Sequence, residues 1–257
     1  YGPGVRFSGG EPLPVSTRAE NDFVLTYDDL DRAGADDAEV LMICYPNNPT
    51  GATASEAELA EIAEFAREHD LTVLSDEIYA GLTYEGEHSS IATQPGMRER
   101  TIVFNGFSKS YAMTGLRLGY ALGPPEAIDA MNRIHQYTML SAPTTAQHAA
   151  LEALRVCNDD VAEMRTQYNR RRQFVISRFR DMGLDCFEAT GAFYAFPEAP
   201  YDDEQFAEDL LHDQGVAVVP GRVFGEEGHD HLRVSYATGM SDLKEAMTRI
   251  ETFLNDR

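Results

Sequence analysis

Basic residues are scarce in this chain, and lysine is almost missing. Of 257 residues, 21 are Lys or Arg and 43 are Asp or Glu, a formal net charge of −22. Lys109 and Lys244 are the two lysines, and every other cation is an arginine. A surface of this sign repels phosphate backbones and anionic headgroups, which excludes duplex nucleic acid and acidic membranes as partners. It is also the balance that a salt-rich cytoplasm favours, because concentrated salt screens repulsion among carboxylates. The expectation is a halophilic, cytoplasmic protein. No run of about 18 uncharged apolar residues occurs, so no membrane-spanning helix is predicted. The opening residues YGPGVRFSGG lack the apolar segment of a secretory signal. They also lack an initiating methionine, and the expectation is a chain that begins inside a longer protein. Cys44, Cys157 and Cys186 are odd in number, far apart and in no C-x-x-C pair. That argues against a disulfide scaffold and a cysteine zinc site, and for a reducing compartment. His229-Asp230-His231 reads as a polar turn before a strand, and no metal site is expected.

What is present is enough apolar material for a core, 43% of the residues. Glu39–Tyr45 (EVLMICY) is a short unalternating apolar run, the pattern of a strand buried on both faces. After a loop rich in Asn and Pro, Ser55-x-x-Glu58 is a capping box. Leu59, Ile62, Ala63 and Ala66 then form one apolar helix face. Leu71–Ser75 (LTVLS) and Thr101–Asn105 (TIVFN) are further strands. Strands alternating with helices predict an α/β fold, a mostly parallel sheet flanked by helices. From about Ile128 to Asp181 the chain reads as helix, interrupted by Pro143, with Arg170-Arg171-Arg172 decorating its second half. Beyond Gly183 shorter strands are predicted at Ala192–Phe196, Val216–Val219 and Leu232–Tyr236, then a helix over Asp242–Leu254. The expected organisation is a large domain over residues 1–165 and a smaller C-terminal α+β domain over 166–257.

In an open parallel sheet, ligands bind beyond the carboxyl ends of the strands. Asn48 follows the first predicted strand, Asp76 the second and Lys109 the third, at intervals of 28 and 33 residues. Each interval is about one strand–helix–strand unit of roughly 30 residues. Parallel strands therefore bring all three residues to one sheet edge. Lysine is nearly excluded from the chain, yet one stands at a strand end. Unlike arginine it can lose its proton and attack a carbonyl. An acid nearby could hold a pyridinium nitrogen protonated. Taken singly, Lys109 is equally a solvated loop residue and Asp76 equally a helix N-cap. Together they favour a carbonyl cofactor or a carbonyl substrate.

The segments YPNNPTG (45–51), SDEIY (75–79), NGFSKSYAMTGLRLGY (105–120), GAFYAFP (191–197) and HLRVSYA (231–237) resemble, in order, the class I/II, fold-type I aminotransferases. These enzymes use pyridoxal 5′-phosphate (PLP), and the resemblance covers essentially the whole chain. It implies that Lys109 forms the internal aldimine and shuttles the substrate proton. It implies that Asp76 pairs with the pyridine nitrogen, and that Tyr79 and Asn48 donate to the ring oxygen. Arg117 and Ser108 would bind the cofactor phosphate. Arg233 would grip the substrate α-carboxylate, beside Asn48. The same resemblance implies a homodimer acting on an amino acid and a 2-oxo acid.

Two departures stand out. Gly106 occupies a position where aspartate-specific relatives often carry a phosphate-binding serine. The family also has a substantial portion preceding the point that matches Tyr1, including a phosphate loop, a ring-stacking aromatic and a tyrosine reaching the partner subunit. Without it the large domain lacks its first strands, and weak cofactor binding or poor folding is expected. Other readings are a PLP-dependent lyase, decarboxylase or synthase of the same fold, or a non-catalytic truncated relative. A Ser–Lys hydrolase lacks both an S-x-x-K and a G-x-S-x-G elbow.

Overall fold

The computed structural model describes residues 1–256. A short helix α1 (Gly2–Phe7) buries no residue, and extended chain leads to α2 (Tyr27–Arg32). α2 is too short to show an apolar period, and its start is a capping box. Thr26 Oγ1 accepts the Asp29 N–H at 3.2 Å, and the Asp29 carboxylate accepts the Thr26 N–H at 3.2 Å. β1 (Val40–Cys44), α3 (Glu56–Glu68), β2 (Thr72–Asp76) and β3 (Thr101–Gly106) come next, within two residues of their predicted places. α3 begins at the predicted cap, with the Glu58 carboxylate accepting the Ser55 N–H at 2.7 Å. Its predicted stripe of Leu59, Ile62, Ala63 and Ala66 is buried, together with Phe65.

β1, β2 and β3 are parallel neighbours, with Cys44 opposite Asp76 and Asp76 opposite Phe104. β4 (Gly119–Leu122) adds antiparallel to β3 and makes the sheet mixed. Two glycines allow the close approach. A Cβ on Gly106 would come within 3.0 Å of Gly119 Cα. That explains the glycine at 106: it packs strand against strand.

The helical stretch divides into α4 (Pro125–Thr138), α5 (Thr144–Val156) and α6 (Asn158–Asp181), with Pro143 capping α5. α4 buries no residue, and Tyr137 is 91% exposed. α6 runs unbroken through position 165. Of the three successive arginines on α6, Arg172 is buried. It donates to Ala189 O at 2.6 Å and pairs with Glu85 at 2.9 Å, so it ties the helix to two loops.

The last third comprises β5 (Tyr194–Ala195), α7 (Asp203–Gln214), β6 (Val219–Pro220), β7 (Leu232–Ser235) and α8 (Met240–Asn255). β7 lies between β5 and β6, and both pairings are antiparallel. β5 and β6 are shorter than predicted. Ala192 has φ +55°, which takes it out of extended chain. Val216 and Val218 pack on the core beside the strand without pairing, and Pro220, having no N–H, ends the β6 ladder.

Two cores result. One joins the β1–β2 face, α2 and the inner stripe of α3, and takes in Phe196 from the last third. The other joins α6, α7, α8 and β7, and takes in Tyr79 and Leu82 from the turn after β2. Each core thus borrows from the other side. The loop after β1 and the segment before β5 meet at two glycines. A Cβ on Gly51 would lie 2.6 Å from Ala189 Cβ, and one on Gly191 would lie 2.5 Å from Pro46 Cβ. Gly51 O accepts the N–H groups of Thr190 (3.0 Å) and Gly191 (2.8 Å), and the Thr53 and Thr190 hydroxyls lie 2.7 Å apart. The Tyr45–Pro46 bond in this contact is cis.

Candidate active site

The three parallel strands end at one edge, and local hydrogen bonds shape the loop beyond each of them. After β1, the Asn47 side chain folds the loop: its amide donates to Cys44 O at 3.2 Å, and its oxygen accepts from Thr50 N (3.2 Å) and Thr50 Oγ1 (3.0 Å). Asn48 is left free to face outward from the edge. Its Oδ1 accepts from Arg233 Nη1 at 3.0 Å, while its Nδ2 has no partner among the described residues.

At the end of β2 two adjacent carboxylates take opposite faces. Glu77 is buried and satisfied, accepting from Ser75 Oγ (3.0 Å) and Ser90 Oγ (2.6 Å), with His88 Nε2 at 2.8 Å. Asp76 faces the edge. It accepts the Ile78 N–H at 3.1 Å and the Tyr1 phenol at 2.6 Å, with no cation at ion-pair distance among the described residues. Three residues on, Tyr79 is buried with its hydroxyl 3.0 Å from that of Tyr194. Burial, then that hydrogen bond, pushes the Tyr79 phenol well above its ordinary range, so it remains a protonated donor.

After β3 the chain turns tightly. Thr114 Oγ1 donates to Ser108 O at 2.8 Å, and Ala112 N donates to Lys109 O at 3.1 Å. The half-buried Lys109 Nζ lies 5.4 Å from the Phe193 ring centroid and 5.7 Å from that of Tyr79. Neither Lys109 Nζ nor Ser108 Oγ has a hydrogen-bond partner among the described residues. Arg117 sits in a left-handed turn, φ 54°, on the exposed side. Its one hydrogen bond, 2.8 Å, runs to Thr114 O. The structure therefore links Asn48, Arg233, Tyr194, Tyr79 and Lys109 through a chain of contacts, in which Arg117 does not take part.

Arg233 comes from β7. Its guanidinium carbon lies 4.8 Å from the Tyr194 ring centroid and 4.9 Å from that of Phe224. Its Nε is buried with no partner, and no carboxylate pairs with it among the described residues.

The sequence pattern assigned no role to Tyr1, Cys44, Phe193, Tyr194 or Phe224. Tyr194 carried a signal: a phenol in an otherwise apolar strand needs a partner when buried. Phe224, between glycines 221 and 225, was an apolar side chain in a turn. Cys44 faces Asp76 across the strand pair. Burial, then the nearby carboxylate, pushes its thiol up to about 11, so it is no nucleophile.

This donor set fits PLP. An amine without a carboxylate, an acid without a cation, a buried phenol, a free amide N–H and a free hydroxyl share one edge. Arg233 adds a guanidinium that no carboxylate neutralises among the described residues, with a buried Nε that has no partner. The family model for class I and II aminotransferases matches residues 1–250. An aromatic-amino-acid aminotransferase of Thermococcus litoralis is 43% identical, over 100% of this chain and 68% of its own length. An aspartate aminotransferase of Pyrococcus abyssi is also 43% identical, with the same coverage, 100% and 68%. The solved aromatic aminotransferase of Pyrococcus horikoshii superposes with a TM-score of 0.97 at 43% identity, over 100% of this chain and 70% of that one. The chain spans about two thirds of the length of the curated relatives it matches.

Proposed function

The chain belongs to the class I and II aminotransferases, and on that premise we propose that it serves a PLP-dependent transfer of an amino group from an L-amino acid to a 2-oxo acid. When bound, PLP supplies an aldehyde that condenses with amines and a pyridinium ring that takes up electrons from the substrate Cα. The residues supply the rest. Lys109, free of carboxylates among the described residues and lying beside two rings, gives and takes the proton at Cα. Asp76 holds the proton on the pyridine nitrogen. The Tyr79 hydroxyl and Asn48 Nδ2 donate to the ring oxygen. Ser108 and Arg117 are the phosphate ligands. Arg233 binds the α-carboxylate through its planar fork, which two parallel N–H donors make stronger than a single contact.

The observation that carries this reading is Arg233. In a chain with 43 Asp and Glu residues it pairs with no carboxylate among the described residues, and it donates to Asn48 in the loop beyond β1. The division into residues 1–165 and 166–257 is supported by the two cores, one built on β1, β2 and α3 and the other on α6, α7 and α8. A homodimer is the assembly this family membership favours. No helix among the described residues is long and apolar enough to cross a membrane. The acidic, lysine-poor composition supports a cytoplasmic, salt-adapted setting.

The test is a visible spectrum of the protein with PLP in molar KCl, before and after borohydride, with Lys109→Ala alongside. The expected result is a band that borohydride fixes to Lys109 and that an amino donor bleaches. A band indifferent to every amino donor would favour a lyase of the same fold.

A further inference from the structure

We propose that Tyr194 and Phe224 form an aromatic clamp on Arg233, and that Phe224 is the positioning residue that sets affinity for the substrate carboxylate. This rests on the reading of Arg233 given above. The guanidinium is held by one hydrogen bond, to Asn48 at 3.0 Å, and by two ring faces at 4.8 and 4.9 Å. Ring faces attract a cation without occupying its N–H groups. A carboxylate partner would have fixed the side chain equally well, but it would have consumed the donors and the charge that the substrate needs. The clamp fixes the plane of the fork and leaves Nη2 without a partner among the described residues.

The two jaws are built on separate supports. Tyr194 is paired with Ser235 on the very strand that carries Arg233, and its hydroxyl reaches Tyr79 at 3.0 Å. Phe224 sits 37% exposed at the end of the 3-10 turn Gly221–Phe224, where little apolar packing holds it. The turn is held instead by its neighbour Arg222. The Arg222 backbone N–H donates to Asp203 at 2.9 Å, and its Nε donates to the same carboxylate at 2.7 Å. Its terminal nitrogens reach Glu204 (3.2 Å) and Asp202. Asp203 is fully buried at the start of α7, where the helix N-terminus favours negative charge. A Cβ on Gly221 would fall 2.1 Å from Gly228 O, so the turn also locks by backbone contact. The ring of Phe224 is thus aimed at Arg233 by a charged anchor on its far side.

The experiment compares Phe224→Leu, Phe224→Tyr and Tyr194→Phe in the PLP-loaded holoenzyme. The probe is 2-methylalanine, an amino acid with no hydrogen on Cα, which can bind but cannot proceed. Its dissociation constant is read from the shift of the visible band, and the pH midpoint of the band without ligand is recorded separately. Phe224→Leu keeps apolar cover but loses the ring face, and is expected to weaken binding roughly 2- to 30-fold. Phe224→Tyr restores the face and should bind within about twofold of the parent. Tyr194→Phe keeps its face and loses the bond to Tyr79, so it should move the pH midpoint and leave the affinity near the parent's. Equal affinities for Phe224→Leu and Phe224→Tyr would overturn the clamp, leaving only apolar cover. So would variants that move both readouts together, the mark of general loosening. A parent protein that forms no visible band at all would overturn the proposed function itself, and the clamp with it.

Discussion

The two halves of the site are held by different kinds of force. Asn48, Asp76 and Lys109 stand at or just beyond the ends of three adjoining strands, whose ladders fix Asp76 directly and anchor the two short, hydrogen-bonded loops that carry the others. Arg233 stands in a sheet whose outer strands are two residues long, and its position depends on ring faces, one amide and a loop. The strand-end half is therefore the rigid frame. The arginine half is an arrangement of side chains, open to adjustment by substitution at a distance.

The contrast can be broken hardest at Lys109. Alanine there removes the base itself, and the rate of amino transfer should fall by about 10⁴-fold in single turnover, with the frame intact by circular dichroism. Arg233→Lys keeps the charge and loses the fork. One charge-assisted hydrogen bond is worth about 1.5–3 kcal/mol, so kcat/KM should drop roughly 10- to 150-fold, with most of the loss in substrate affinity. Gly191→Ala attacks the junction between the halves. Its new Cβ would meet Pro46 at 2.5 Å, and the repacking should cost about 1–3 kcal/mol in urea unfolding. The gentlest probe is Arg222→Gln, read by acid titration of stability. Burial alone would raise the Asp203 carboxyl, but its hydrogen bonds from Arg222 outweigh that and hold it below its usual range. A carboxyl lowered on folding stabilises the protein above the ordinary carboxylate pKa, and that contribution is lost as pH falls through the folded value. The variant should therefore begin to unfold at a higher pH than the parent, while the two converge in strong acid.

The same contrast governs what could be read without coordinates. The strand ends were legible because strand position and residue type lie together in the sequence: EVLMICY before Asn48, LTVLS before Asp76, TIVFN before Lys109. The capping box at Ser55 and the stripe of α3 were legible for the same local reason. The arginine half was legible as Arg233 alone. Tyr194 lies 39 residues before it and Phe224 nine, in segments with different local character, and only the tertiary fold joins them. β4 was hidden because it is only four residues long, Gly119–Leu122, too short for a strand period to show. α4 shows the limit from the other side. It falls at the start of the stretch from Ile128 that reads as helix, but burial depends on what packs against it, and none of its residues is buried.

Lys109 is half-buried beside two rings, and Lys244 is exposed on α8. A lysine-specific protease thus has two cutting sites in this chain and yields fragments 1–109, 110–244 and 245–257. Any group fixed to the Lys109 amine removes the first cut and leaves 1–244 as one piece. The scarcity of lysine turns occupancy of the site into a difference in mass between two digests, readable without colour or turnover.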